Sequence, residues 1–168
     1  MADLGCWPGG WLQRAAADVG ASGRVVGIDR APVDPPLALP NVVALEGDLG
    51  DSGTAARLVE ALGGVADVVL SDAAPKLTGI RDRDRAAEED LLCAVEALLP
   101  ALLRPDGDLL LKILEGPEAQ EVDRRIRKLF ATAKTVKVRA TRKGSSERYL
   151  LARKFRPPGD PREAASPG

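Results

Sequence analysis

Asp3-Leu4-Gly5-Cys6-Trp7-Pro8-Gly9-Gly10-Trp11 reads as a strand end, a glycine-rich turn and a helix start. Glycine lets a backbone approach a ligand closely, and a turn opening a helix leaves N–H groups free to face it. The spacing is G-x-x-x-G-G. It is not the G-x-G-x-x-G that clasps a dinucleotide pyrophosphate, so a ligand without pyrophosphate is expected, and a nucleotide-dependent oxidoreductase is disfavoured.

Working outward, short apolar runs alternate with helical stretches. Strand candidates are Arg24–Ile28, Asn41–Leu45, Ala66–Leu70 and Asp108–Leu114, after a stub at Met1–Leu4. Helix candidates are Pro8–Val19, Ser52–Leu62, Arg83–Leu103 and Pro117–Phe130. Continuous apolar strands between helices predict a parallel sheet covered on both faces, an α/β fold. Pro8 and Pro117 suit a first helical turn. Gly20, Gly63 and Gly107 suit positions of positive φ past helix or turn ends, and Pro100 should kink or end its helix early. Thr135–Val138 and Arg148–Ala152, joined through Lys143-Gly144-Ser145, read as a terminal antiparallel hairpin, making seven strands in all. So short a stub is a poor start for a central strand. Residues 1–156 are expected to form the domain, and 157–168, rich in Pro, Gly, Ser and charge, a disordered tail.

Acidic residues follow successive strands: Asp29 ends the second, Gly47-Asp48 the third and Ser71-Asp72-Ala73-Ala74-Pro75 the fourth. Ligands of open α/β sheets bind at the carboxyl ends of strands. Asp29 there suits a ribose, and Asp48 an adenine amino group. The alternative for each Asp is a helix cap or turn. Lys112 lies inside the apolar run Leu109–Leu114, where an ammonium is costly unless paired or used; otherwise it snorkels to solvent. Glu147 begins the last strand, where alone it would be an ordinary edge charge.

Composition narrows the chemistry. With no histidine, His-based triads and most zinc sites are excluded, and proton transfer falls to Lys, Asp, Glu, Cys or Tyr. Cys6 and Cys93 form neither a disulfide framework nor a metal-ligand pattern, so no metal is expected. No apolar run approaches the roughly 20 residues of a membrane span, no signal peptide is recognisable, and a cytoplasmic setting without membrane contact is expected. The net charge of −1 divides unevenly: residues 1–120 hold 10 Lys/Arg against 20 Asp/Glu, and residues 121–156 hold 13 against 3. The basic segment is either a footprint for a polyanion or a solvated surface.

Asp-Leu-Gly-x-x-Pro-Gly-Gly-Trp, Ser-Asp-x-Ala-Pro, Lys112 and Ser-x-Glu-x-Tyr together resemble the FtsJ (RlmE) type of ribosomal RNA (uridine-2′-O)-methyltransferase, from Asp3 to about Phe155. The resemblance implies a Rossmann-like S-adenosylmethionine-dependent methyltransferase fold, with a mostly parallel seven-stranded sheet and a terminal antiparallel hairpin. It implies methylation of a uridine ribose in large-subunit ribosomal RNA by a monomer, using a Lys–Asp–Lys–Glu tetrad. Asp72, Lys112 and Glu147 take the places of the Asp, second Lys and Glu. The first Lys, which in the family precedes the glycine loop, has no counterpart, so the family's N-terminal segment is expected to be lacking. The S-adenosyl-L-methionine site is expected to use Asp3, Gly5, Pro8, Gly9, Gly10, Trp11, Asp29, Asp48 and Asp72. RNA contacts are expected from Arg81, Arg83 and Arg85, and from Arg139, Arg142, Lys143 and Arg148; Arg124, Arg125, Arg127 and Lys128 are either further contacts or a solvated helix face. A non-catalytic cofactor- or RNA-binding remnant, or an enzyme acting on tRNA or an mRNA cap, are the alternatives.

Overall fold

The computed structural model describes residues 1–114, 116–139 and 146–159. The chain runs β1 (Ala2–Leu4), α1 (Gly10–Val19), β2 (Val25–Asp29), β3 (Val42–Glu46), α2 (Thr54–Leu62), β4 (Ala66–Ser71), α3 (Arg81–Leu102), β5 (Leu103–Lys112), α4 (Pro117–Lys128), β6 (Phe130–Arg139) and β7 (Ser146–Phe155). They form one seven-stranded sheet in the order β3-β2-β1-β4-β5-β7-β6. All pairings are parallel except those of β7 with β5 and β6. The expected α/β architecture is therefore the observed one.

Side-chain alternation along the strands separates two cores. Ala2, Leu4, Val26, Ile28, Leu109, Leu111 and Leu150 face α2, α3 and α4. Val25 and Leu70 face Leu12, Ala15 and Ala16 of α1. Gly27 permits that second contact, since a Cβ there would lie 2.6 Å from Cys6 Cβ and 2.7 Å from Leu12 Cδ2. The short β1 is a fully fledged central strand: its three residues are buried and pair with β2 on one side and β4 on the other.

Local details depart from expectation at three points. Pro8 precedes α1 instead of opening it; the Trp7–Pro8 peptide is cis, Gly9 at φ 107° is the N-cap, and the helix starts at Gly10. Pro117 does open α4. Pro100 does not end α3, which continues to Leu102, because it sits in the last turn, where Leu98, Leu99 and Leu102 are buried. At the β4–β5 junction the positive φ of 60° belongs to Asp106, not Gly107. Gly107 is required for space, since a Cβ there would lie 2.5 Å from Leu103 Cδ1 and 3.0 Å from Asp67 O. The register jumps there, with Ala66 opposite Leu103 and Val68 opposite Asp108. Gly20 and Gly63 do take positive φ.

The terminal hairpin is longer than its apolar pattern suggests, because Phe130 and Phe155 close its base, ring centroids 5.3 Å apart. Its turn at 140–145 lies outside the described residues, as does the tail from 160 onward. Among the described residues, no helix is long and apolar enough to cross a membrane.

Candidate active site

The carboxyl ends of the parallel strands open onto a cleft of about 990 Å³. Gly5 and Trp7 after β1, Asp29 at the end of β2, Asp48 after β3 and Asp72 after β4 all line it. Antiparallel β7 starts at this same end of the sheet, placing Tyr149 directly opposite Lys112, the last residue of β5. Glu147 is thereby brought to the same rim from 35 residues further along the chain than Lys112. Lys112 Nζ lies 3.3 Å from Asp72 Oδ1 and 3.6 Å from Glu147 Oε1. The Tyr149 hydroxyl lies 2.7 Å from Asp72 Oδ1 and 3.2 Å from Glu147 Oε2. A lysine amine, two carboxylates and a phenol thus meet beside a nucleoside-sized cleft.

Gly5 makes that meeting possible. Its φ is 85°, and an added Cβ would lie 2.6 Å from both Cα and Cβ of Ala73, so the turn after β1 nests directly on the backbone that carries Asp72. A model of the FtsJ-like methyltransferases matches residues 1–155. The chain belongs to the FtsJ-like methyltransferase family.

It is similar to the ribosomal RNA large subunit methyltransferase E of Methanosphaera stadtmanae, 38% identical over 93% of this chain and 76% of that protein. It is likewise similar to the protein of that name from Methanothermobacter thermautotrophicus, 40% identical over 92% of this chain and 72% of that one. A crystal structure from Plasmodium falciparum, described as a ribosomal RNA methyltransferase, superposes with a TM-score of 0.74 at 25% identity, over 92% of this chain and 85% of that one.

In this FtsJ-like chain the glycine turn works differently from the sequence reading. Gly5 and Cys6 donate their N–H groups to Ile28 O (2.9 and 3.2 Å), Trp7 donates to Asp29 Oδ2 (3.1 Å) and Gly9 to Cys6 O (2.7 Å). These four amides fix the turn rather than point at a ligand. Of the nine residues expected to hold a cofactor, Gly5, Asp29, Asp48 and Asp72 line the cleft. Gly9 faces Val33 and Leu37 instead, and Trp11 packs on Tyr149 with ring centroids 5.7 Å apart. Pro8 and Gly10 do not line the cleft. Asp29 and Asp48 line the cleft and at the same time serve as turn residues. Asp29 accepts the N–H groups of Trp7 and Ala31. Asp48 accepts from Gly50 N (2.9 Å) and Arg30 Nε (2.7 Å), which hold it below the usual carboxylate range, the amide foremost.

Two features escaped the sequence reading. Tyr149 was visible only as a motif letter, two residues from Glu147 and hence on the same face of β7. The second is the segment after Asp72, whose Ala73, Ala74, Pro75 and Lys76 form a cleft wall. Asp84 pins that segment by accepting hydrogen bonds from Thr78 N (2.7 Å), Thr78 Oγ1 (2.8 Å) and Gly79 N (2.9 Å).

The expected RNA-contacting cations divide. Arg81 and Arg83 are exposed in the first turn of α3. Arg148 lies opposite Lys137 on the hairpin. The Arg139 side chain, Arg142 and Lys143 lie outside the described residues. On α4, Arg124 pairs with Glu121, Arg125 with Glu96 at 2.6 Å, and Arg127 with Asp123 at 2.6 Å, so much of that helix's charge is neutralised within the protein.

Asp3 is the outlier. One residue out of phase with Ala2 and Leu4, it is wholly buried behind the cleft, and neither carboxyl oxygen has a hydrogen-bond partner. Burial first, then the neighbouring Asp72 and Asp29, push it up to about 7. A carboxyl raised in the folded state stabilises the fold fully below its unfolded value of roughly 3.9, and that contribution is lost as pH rises through about 7. Between pH 5 and pH 8 the wild type should therefore lose on the order of 1–4 kcal/mol relative to Asp3→Asn, which cannot titrate. Urea denaturation of both proteins at the two pH values measures the difference. Parallel pH curves would contradict this account of Asp3.

Proposed function

We propose that this chain is an S-adenosyl-L-methionine-dependent RNA ribose 2′-O-methyltransferase acting on a uridine of large-subunit ribosomal RNA. The observation that carries the reading is Lys112, held between Asp72 and Glu147 at the rim of a cleft that Asp72 itself lines. The names of the relatives support the RNA class.

The cleft suits the cofactor chemically. Each Asp29 oxygen accepts one backbone N–H and keeps lone-pair capacity for a ribose hydroxyl. Asp48 Oδ1 and the apolar side chains of Ile28, Leu49 and Leu91 offer an acceptor and walls for an adenine ring. Gly5 leaves the floor free of a Cβ. When bound, S-adenosylmethionine supplies a methyl carbon activated by its sulfonium.

The remaining work falls to the protein. It must hold the ribose 2′-oxygen in line with the carbon–sulfur bond and accept that oxygen's proton. Lys112 Nζ is the group placed to accept the 2′-hydroxyl proton as the oxygen attacks. Asp72 and Glu147 aim the amine from two sides and stabilise the ammonium that results. Lys76, Arg81 and Arg83 on one side, with Lys137 and Arg148 on the other, offer phosphate contacts to an RNA crossing the rim.

The test uses labelled S-adenosylmethionine and large ribosomal subunits that lack the modification. The expected product is label on a uridine 2′-oxygen. Label on a base, or no transfer, would refute the reading. With about three phosphates contacted, RNA affinity should fall about tenfold or more between about 50 and 200 mM salt, and a flat response would exclude a phosphate-held substrate.

A further inference from the structure

Tyr149 is the chain's single tyrosine, it is almost wholly buried, and its phenol reaches both carboxylates that hold Lys112. A phenol carries one proton and can give it fully to one acceptor only. The 2.7 Å separation from Asp72 Oδ1 is that of a strong O–H···O⁻ hydrogen bond, whereas 3.2 Å from Glu147 Oε2 is beyond the usual range. The hydroxyl therefore belongs to Asp72. That same oxygen, Asp72 Oδ1, faces Lys112 Nζ at 3.3 Å.

Building on the functional reading above, we infer that Tyr149 is a positioning residue that acts through Asp72 and not through Glu147. Three constraints make it an effective one. Register pairing places it directly opposite Lys112, so phenol and amine are carried by facing residues of one ladder. The Trp11 ring, in the first turn of α1, packs against it and limits its rotation. Burial, followed by the Asp72 hydrogen bond, lifts the phenol above its ordinary value, so it remains a donor throughout any working pH. Trp11 thus ties the glycine turn to the amine through Tyr149 and Asp72, rather than by touching the cleft.

The test is a pair of double-mutant cycles in the methyl-transfer assay. Tyr149→Phe, which removes only the hydroxyl, should lower kcat between about tenfold and 100-fold, with KM for S-adenosylmethionine within about twofold of wild type. In an Asp72→Asn background the same change should cost less than about twofold, because the group it positions is already altered. In a Glu147→Gln background it should cost its full factor. Equal losses in both backgrounds, or none in the wild type, would overturn the inference. A crystal structure of Tyr149→Phe gives a reading independent of turnover: Asp72 Oδ1 should move beyond about 4 Å from Lys112 Nζ, outside ion-pair range. An unmoved Asp72 overturns the inference. Absence of methyl transfer in the wild type would instead overturn the functional reading, and the crystal structure would still decide the positioning.

Discussion

Lys112→Ala should lower kcat for methyl transfer by about 10³-fold or more while leaving S-adenosylhomocysteine affinity within about threefold of wild type. The asymmetry follows from placement. Lys112 meets Asp72 and Glu147 at the rim, whereas the cleft wall is built from Gly5, Asp29, Asp48 and Asp72. Removing the amine therefore takes away the proposed proton acceptor and leaves the cleft wall in place. Alanine also leaves two carboxylates without their shared cation, so a fall in activity alone would be ambiguous. Lys112→Arg resolves it. Guanidinium keeps both ion pairs but is not deprotonated in proteins, so the variant should be as stable as wild type and equally inactive as Lys112→Ala. Steady-state kinetics, calorimetric titration and thermal melts together check the pattern. An arginine variant with substantial turnover would show that Lys112 serves as a charge and not as a base.

Gly5→Ala should produce the largest structural defect of any single methyl addition in the turn. The residue sits at φ 85°, which L side chains rarely adopt, and its new Cβ would lie 2.6 Å from the Cα of Ala73. A backbone atom cannot swing aside as a side chain can, so either β1 or the Asp72–Ala73 segment must move. We expect a loss of about 2–4 kcal/mol, seen as a fall in Tm of about 5–15 °C. S-adenosylhomocysteine affinity should drop by about tenfold or more, because the displaced segment carries Asp72 into the cleft. Gly10→Ala is the internal comparison. A Cβ there meets nothing within 4 Å, so stability should change by less than about 1 kcal/mol. Similar melts for the two variants would mean that the turn does not seat on Ala73.

The apolar runs at 24–28, 66–70 and 108–114 were legible as strands, observed at 25–29, 66–71 and 103–112, because a parallel strand covered on both faces needs little but continuous hydrophobicity. The acids at 29, 48 and 72 were legible as cleft residues because chain direction alone puts strand ends on one edge of such a sheet. The resemblance to FtsJ-type enzymes named Asp72, Lys112 and Glu147, and the structure brings these three together. Pro8, Gly107 and Pro100 were read by local rules, and neighbours overrode them: a turn ahead of α1, the crowding of Leu103 and Asp67, and the buried leucines of α3.

By itself the sequence determined the order of elements, the parallel sheet and the edge onto which the cleft opens, since these follow from short-range pattern and chain direction. Tertiary structure alone decided that the amides of Gly5, Cys6, Trp7 and Gly9 are taken up by Ile28, Asp29 and Cys6, that Asp3 is buried without a hydrogen-bond partner, and that one phenol serves Asp72. The physical reason lies in β7, which enters the sheet antiparallel between β5 and β6. Which residue then faces Lys112 is set by register across a long stretch of chain, and a shift of one position would turn Tyr149 to the opposite face.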